Sequence, residues 1–334
     1  MKGDETPGRG RAWLLASVAV AALFAAFFLV RGCAFMPWNR SGREVEARVT
    51  ITRDFGVTVL KEQRVRVREG STAMDALLEA AEVETAYGGG FVQGIDGLRS
   101  GYQSGLGDGE KVDWFFYVNG HMADVGADDY TLRDGDWLVF DYHSWDYSMF
   151  TPFLAGCFFQ ALRSGYGGRS AEGVAVLHTP GAAEEAGEVA AMLEERGISC
   201  DKRLLEEDWA PREDEYAVVV GIWKEMEDNG YLRRAFSNAS RLGLYAYFDG
   251  AELKLAGPRG GVAEVLSGKA GLIEGTGPRL GDGRSALLVC GLDREGLDAA
   301  VEALQELAAE GGRPVTAIAA PAGSAAFAVP GEVR

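Results

Sequence analysis

The sequence predicts an α+β protein built from an N-terminal transmembrane helix, a small domain of strands with one helix, and a layered α/β domain. Three observations predict this. An uncharged apolar segment of 18 residues, Trp13–Val30, reaches the lower limit for crossing a bilayer. Apolar and polar residues then alternate with period two, and from Gly173 strands alternate with helical segments, which is typical of a parallel sheet. We therefore place a tail, anchor and linker at 1–44, the small domain at 45–147 and the α/β domain at 171–330.

The apolar segment is longer than the core of most signal peptides, which favours an uncleaved anchor. Basic residues stand on both sides of it, so the charge bias does not decide its orientation. These residues are Lys2, Arg9 and Arg11 before the segment and Arg31, Arg40 and Arg43 after it. Because a long polar body without a second apolar span follows, we expect a single-pass protein of the cell membrane with its bulk outside the cytoplasm. A cytoplasmic body is the alternative.

Cys33 follows Gly32 shortly after the apolar segment, as in a bacterial lipoprotein cleavage site. Lipidation at Cys33 is therefore an alternative to a plain anchor. The other cysteines, Cys157, Cys200 and Cys290, are widely spaced. We expect them to be free, buried thiols rather than disulfide or zinc ligands.

The small domain begins with alternating strands at Val45–Thr52, Thr58–Leu60 and Gln63–Glu69, with a turn at Asp54–Gly56. A helix follows, because Ser71 or Thr72 can cap a stripe of apolar residues at helical spacing. We expect the glycines Gly88–Gly90 to end this helix. The later strands are Phe91–Ile95, Val112–Gly120 with an Asn-Gly hairpin turn, and Trp137–Tyr142. The predicted order is β-β-α-β-β-β.

The α/β domain shows short apolar strands, each followed by a helical pattern. A hairpin with an Asp-Gly turn is predicted at Leu242–Gly257. The predicted strands are GVAVLH, AVVVG, SALLVCG and PVTAIAA, and the helices cover about Ala182–Arg196, Trp223–Leu242 and Asp293–Glu310.

Charge and motifs exclude several functions. The net charge of −17 argues against nucleic acid, which needs clustered Lys and Arg. The sequence has no phosphate-binding glycine loop, nucleophile elbow or pair of histidines at metal-ligand spacing. We therefore expect no enzyme activity and no metal site. The alternatives are an enzyme on the α/β domain that uses Asp201 or the carboxylates of EEDWAPREDE near strand carboxyl ends, and a structural envelope protein without a small ligand.

Five segments of the small domain resemble the bacterial transcobalamin-like C-terminal domain family over about Val45–Trp145. They are VREGSTAMDALLEAA, TAYGGGFVQGIDGL, VDWFFYVNG, GADDYTLRDGD and FDYHSW. The resemblance implies a β-grasp-like fold, and cobalamin as a possible ligand, since the family's eukaryotic relatives are cobalamin carriers.

Aromatic residues crowd the same domain, and one sheet face cannot bury all of them. We therefore predict an exposed ligand face for a corrinoid or another flat cyclic ligand, in an extracytoplasmic binding or adaptor protein. An envelope protein is the alternative partner. The predicted face comprises Tyr87, Gly88, Gly89, Gly90, Phe91, Trp114, Tyr142, His143 and Trp145.

Overall fold

Two large sheets organise the chain in this computed structural model, which describes residues 43–86, 90–101, 109–169, 173–212, 215–277 and 285–331. The predicted anchor Trp13–Val30 and Cys33 lie outside these residues. Within the described ranges, no helix has the length and apolarity that a membrane span requires. The fold is mixed α+β, as predicted.

Residues 44–144, which we call the N-terminal module, form a five-stranded sheet, one helix and a small three-stranded sheet. The large sheet has the order β2-β1-β8-β6-β7, with β1 parallel to β8 at its centre, and the small sheet has the order β3-β4-β5. The elements are β1 (Glu44–Arg53), β2 (Thr58–Arg68), α1 (Ala73–Ala80), β3 (Val83–Ala86), β4 (Phe91–Ile95), β5 (Leu98–Arg99), β6 (Val112–Val118), β7 (His121–Met122) and β8 (Trp137–Ser144).

The predicted helix is confirmed, and local sequence explains its start. The Thr72 side chain accepts a hydrogen bond from the Asp75 backbone N–H, and the Asp75 carboxylate accepts one from the Thr72 N–H. This reciprocal cap satisfies two donors that a helix start leaves free. The expectation that Gly88–Gly90 end the helix is wrong, because α1 ends at Ala80 and strand β3 intervenes.

Residues 145–169 form a connecting segment, and residues 173–331 form what we call the α/β module. The connecting segment carries a short 3-10 turn at Ala155–Cys157. The further elements are α2 (Phe158–Ser164), β9 (Gly173–His178), α3 (Ala183–Glu195), β10 (Asp201–Leu204), β11 (Glu215–Ile222), α4 (Trp223–Met226), α5 (Gly230–Ser237), α6 (Ala239–Leu242), β12 (Ala246–Asp249), β13 (Glu252–Ala256), β14 (Val262–Ser267), β15 (Ala270–Thr276), β16 (Ala286–Gly291), α7 (Arg294–Ala309), β17 (Ala317–Pro321) and β18 (Phe327–Val329).

The seven-stranded sheet of the α/β module has the order β10-β9-β11-β16-β15-β17-β18. The predicted parallel pairing is confirmed for β9, β11 and β16, and strand β10, which was not predicted, also pairs parallel with β9. The parallel pairing predicted for PVTAIAA is wrong, because β17 pairs antiparallel with β15 and β18. Helices α3 and α7 pack on one face, and α4 to α6 with β12 and β13 pack on the other. Both faces of this sheet are therefore buried, which explains its continuous apolar strands.

The large sheet of the N-terminal module is also covered on both faces. One face packs against α1 and the small sheet, with Val49, Leu77 and Phe140 in its core. The other face lies against the connecting segment and the α/β module, where Phe55 joins the apolar core of the latter. The described residues from Glu44 onward accordingly form one compact unit.

Candidate functional site

Four of the predicted ligand residues, Trp114, Tyr142, His143 and Trp145, lie at the end of the large sheet where β6 begins and β8 ends. Trp114 is opposite Tyr142, and Asp113 is opposite His143. Because neighbouring residues of a strand point to opposite faces, Tyr142 and His143 cannot share one face. The structure therefore divides the predicted face into two groups. Tyr87, Gly88 and Gly89 lie outside the described residues.

The first group holds the small sheet against the large one. The Trp114 indole N–H donates to the Leu98 carbonyl at 3.1 Å, and the Tyr142 hydroxyl donates to the Arg99 carbonyl at 2.8 Å. The rings of Trp114 and Tyr142 lie 5.2 Å apart. Trp114 is 8% exposed, so the expectation that it lies on an open face is corrected: its ring packs in the core on the helix side. Tyr142 keeps part of its surface exposed.

Phe91 begins strand β4 of the small sheet, and Gly90 directly precedes it. The Phe91 side chain is 40% exposed, as the predicted ligand face requires. A Cβ at Gly90 would lie 3.0 Å from a carboxylate oxygen of Asp128, so the Asp128 side chain lies close to the Gly90 backbone.

Trp145 follows β8 and is partly exposed. Its backbone N–H donates to the Lys111 carbonyl at 2.9 Å, and the Lys111 ammonium lies 5.4 Å from the indole centroid. The same ammonium lies 3.3 Å from the Asp146 carboxylate. The Lys111 ammonium thus lies in cation–π range of the Trp145 indole, and the Asp146 carboxylate lies beside it.

Carboxylates set the electrostatics of this sheet end. Burial raises the pKa of Asp113, against the opposing effect of a hydrogen bond from Ser100. The pKa of Tyr142 is raised first by burial and then by the negative charges of Glu110 and Asp113. We call Phe91, Tyr142 and Trp145, with these carboxylates and Lys111, the sheet-end surface. Phe91 belongs to it through β4 of the small sheet, which pairs with the β5 residues that Trp114 and Tyr142 bond. It offers ring faces for stacking and a negative potential.

The second group is centred on His143, which is 3% exposed. Its ring stacks between Phe115 at 4.0 Å and Phe55 at 4.3 Å, and its Nδ1 lies 2.6 Å from a carboxylate oxygen of Asp141. The expectation that His143 lies on the exposed face is corrected, because the pleat directs it toward the α/β module, whose Tyr245 ring lies 4.6 Å from that of Phe55.

Asp141 is the residue that the sequence analysis missed. Its carboxylate accepts hydrogen bonds from the Thr52 hydroxyl at 2.6 Å and from the backbone N–H groups of Phe55 and Gly56 at 3.0 and 2.9 Å. Asp141 is 1% exposed. A single acidic residue inside the apolar run WLVFDYHS was the signal, because a buried carboxylate needs several donors.

The carboxylates proposed for an enzyme on the α/β module do not all lie at strand carboxyl ends. Asp201 begins β10 and Glu215 begins β11, so both lie at the amino ends of these parallel strands. Both pair with Arg203, at 3.0 and 2.7 Å. Open α/β sheets bind ligands at the opposite edge, so the expected placement of these two residues is wrong.

Cys157, Cys200 and Cys290 are free thiols, of which Cys157 and Cys290 are buried and Cys200 is partly exposed. Over the described ranges, no three His, Cys, Asp or Glu side chains come together as metal ligands.

Residues 70–144 match the model of the domain of unknown function DUF4430. This match lies within the region that resembles the transcobalamin-like family and supports that resemblance for these 75 residues. No curated protein matches the chain.

Two solved structures are similar over part of the chain. Haptocorrin in complex with Cbi is 15% identical over 30% of this chain and 25% of its own, with a TM-score of 0.25. A candidate metal-binding protein from Ruminococcus gnavus is 16% identical over 30% of this chain and 97% of its own, with a TM-score of 0.23. The chain thus spans about a quarter of haptocorrin. At these TM-scores, neither similarity identifies a ligand of this chain.

Proposed function

We propose that the chain is a membrane-anchored, extracytoplasmic ligand-binding protein, and that the sheet-end surface takes a flat conjugated or cyclic ligand such as a corrinoid. The observation that carries the proposal is the 40% exposure of Phe91, together with the partly exposed rings of Tyr142 and Trp145. The opposite face of the large sheet is covered by the α/β module, whereas Phe91, Tyr142 and Trp145 keep ring surface exposed to solvent.

The rings and carboxylates of the sheet-end surface favour a flat ligand that stacks on the rings and carries positive charge. Each ring contact with a conjugated ligand is worth about 1 kcal/mol. The Lys111 ammonium already lies over the Trp145 ring, so a ligand that stacks there displaces it and gains most if it carries a cationic group of its own.

We expect saturable binding when the purified chain is titrated by calorimetry with cobalamin, cobinamide, a tetrapyrrole panel and a glycan panel. Phe91→Ala and Trp145→Ala should each weaken binding roughly fivefold, since each removes a contact of about 1 kcal/mol. Phe150→Ala is the matched control, because Phe150 is 43% exposed on the connecting segment and lies outside the sheet-end surface. Equal affinities for all three variants would mean that the ligand binds elsewhere. Titrations without binding heat for every compound would exclude cobalamin, cobinamide, tetrapyrroles and glycans as ligands.

The anchoring part of the proposal rests on the apolar segment Trp13–Val30. Protease added to intact cells should remove the body of the chain, with a cytoplasmic protein as the control for lysis. Survival of the full-length chain in intact cells, with cleavage after lysis, would contradict an extracytoplasmic body. Globomycin-sensitive processing would show that Cys33 carries a lipid instead of a plain anchor.

A further inference from the structure

The turn between β1 and β2 has an unusual backbone. Asp54, Phe55 and Gly56 all have positive φ, at 59°, 62° and 81°. Residues with side chains avoid this region unless their surroundings impose it. The surroundings here belong to other parts of the molecule, because the turn projects beyond the sheet of the N-terminal module into the α/β module.

The α/β module holds the turn tightly. Phe55 is 1% exposed and packs in the core of that module, with its ring 4.6 Å from Tyr245. A Cβ at Gly56 would lie 1.6 Å from the Pro314 carbonyl oxygen, so only glycine allows this approach. The turn is therefore inserted into the neighbouring module rather than resting on it.

The N-terminal module holds the same turn from its own side. The Asp141 carboxylate accepts the N–H groups of Phe55 and Gly56, and the ring of His143 lies between Phe55 and Phe115. Asp113 lies across the strand pair from His143. The turn is thus the point where both modules are joined at this end of the sheet.

The opposite end of the sheet has a different attachment. The Met122 N–H donates to the Pro152 carbonyl at 3.0 Å, and the Leu154 N–H donates to the Gly120 carbonyl at 2.8 Å. His121 Nε2 lies 3.1 Å from the Tyr216 hydroxyl of the α/β module. The connecting segment therefore follows the hairpin turn after β6 and fastens that end by main-chain bonds.

Between the two ends, the interface contains polar groups. The hydroxyls of Tyr117, Thr151 and Tyr245 are buried there together, and burial is the main cause that raises the pKa of both phenols. Buried hydroxyls contribute less to adhesion than apolar groups of the same size. The middle of the interface combines these hydroxyls with the buried apolar side chains of Trp137, Val139 and Leu154.

We propose that Asp54–Gly56 is a lock between the modules, that Asn119–Met122 is the hinge, and that release of the lock opens the interface without unfolding either module. Opening uncovers the sheet face that carries Asp141 and His143. The lock rests on contacts between the two modules and does not require a ligand at the sheet-end surface.

The chain's three histidines report on this opening separately. His143 lies at the lock, His121 at the hinge, and His178 at the end of β9 inside the α/β module, and each is at least nine-tenths buried. We would measure their modification rates with diethylpyrocarbonate in the full chain, mapped by mass spectrometry.

Gly56→Ala should force the turn away from Pro314 and raise the modification rate of His143 at least tenfold, with His121 and His178 within twofold of the wild type. Gly70→Ala is the matched control, because Gly70 also has a positive φ of 89° but no heavy atom lies within 4 Å of an added Cβ. A folded Gly56→Ala variant with His143 still protected would overturn the lock. An equal rise at all three histidines would show global unfolding and would overturn it as well.

The wild-type chain gives a second test if Gly56→Ala does not fold. In urea below the unfolding transition, a separate opening step predicts that modification of His143 rises earlier and with a smaller urea dependence than that of His121 and His178. Identical urea dependences for the three histidines would contradict the proposal.

Discussion

Replacing Asp141 by asparagine is expected to lower the free energy of unfolding by about 3 kcal/mol, a large fraction of a typical domain stability. The side chain is 1% exposed and accepts hydrogen bonds from the Thr52 hydroxyl and from two backbone N–H groups, while His143 Nδ1 lies at 2.6 Å. An amide keeps one acceptor oxygen and places an N–H₂ group where the donors converge. Buried donors then lose their partner, at roughly 1 to 3 kcal/mol each.

Urea denaturation followed by circular dichroism at neutral pH measures this loss. Asp134→Asn is the control, because Asp134 also accepts a backbone N–H, that of Glu46 at 2.9 Å, but on the exposed surface. We expect the control to lose less than about 1 kcal/mol, since solvent replaces the lost bond. A loss at Asp141 no larger than the loss at Asp134 would show that the buried carboxylate does not stabilise the turn.

Elements whose signals are local were predictable from the sequence. The Thr72 cap and its apolar stripe define α1, and Asn119 and Gly120, with φ of 52° and 88°, form the expected hairpin turn after β6. Both depend on residues a few positions apart.

Short strands without a clear pattern of their own were not predictable. Strands β3 and β10 have four residues each, which is too few for an alternating pattern to stand out. Strand β10 is polar at three of its four positions, and its pairing with β9 places it in the sheet. The long helix expected over Trp223–Leu242 is instead α4, α5 and α6, because Asn229 caps a new helix at Gly230.

The candidate site was likewise predictable from the sequence only in part. The aromatic excess predicted exposed rings, and Phe91 is exposed whereas Trp114 and His143 are buried. The strand period alone places Tyr142 and His143 on opposite faces. The α/β module covers the face of His143, where Phe55 packs in its core, and no local pattern in the turn Asp54–Gly56 indicates that contact.

The second prediction with a large effect concerns Glu274 on β15. Burial raises the pKa of this carboxyl well above its ordinary value of 4.5, while the one hydrogen bond that its side chain accepts, from the Ala246 N–H at 3.1 Å, acts in the opposite direction. The side chain is 0% exposed. The folded chain therefore keeps Glu274 protonated at a pH where the unfolded chain has released the proton.

The pH dependence follows from this difference. Below about pH 4.5 both states are protonated and Glu274 costs no stability. As the pH rises, the unfolded state loses its proton first, so the contribution of Glu274 to the free energy of unfolding falls by about 1.4 kcal/mol per pH unit until the folded pKa is reached.

Glu274→Gln should remove that slope, because a glutamine of the same shape stays neutral and still accepts the Ala246 N–H. We expect the free energy of unfolding of the variant to rise relative to that of the wild type by about 1.4 kcal/mol for each pH unit between 4.5 and the folded pKa of Glu274. Urea titrations at pH 5, 6 and 7 measure this difference. Glu252→Gln, on the exposed start of β13, should leave the wild-type slope unchanged. Parallel pH profiles for the wild type and Glu274→Gln would mean that the buried carboxyl ionises in both states alike, through a partner or solvent path that opens to β15.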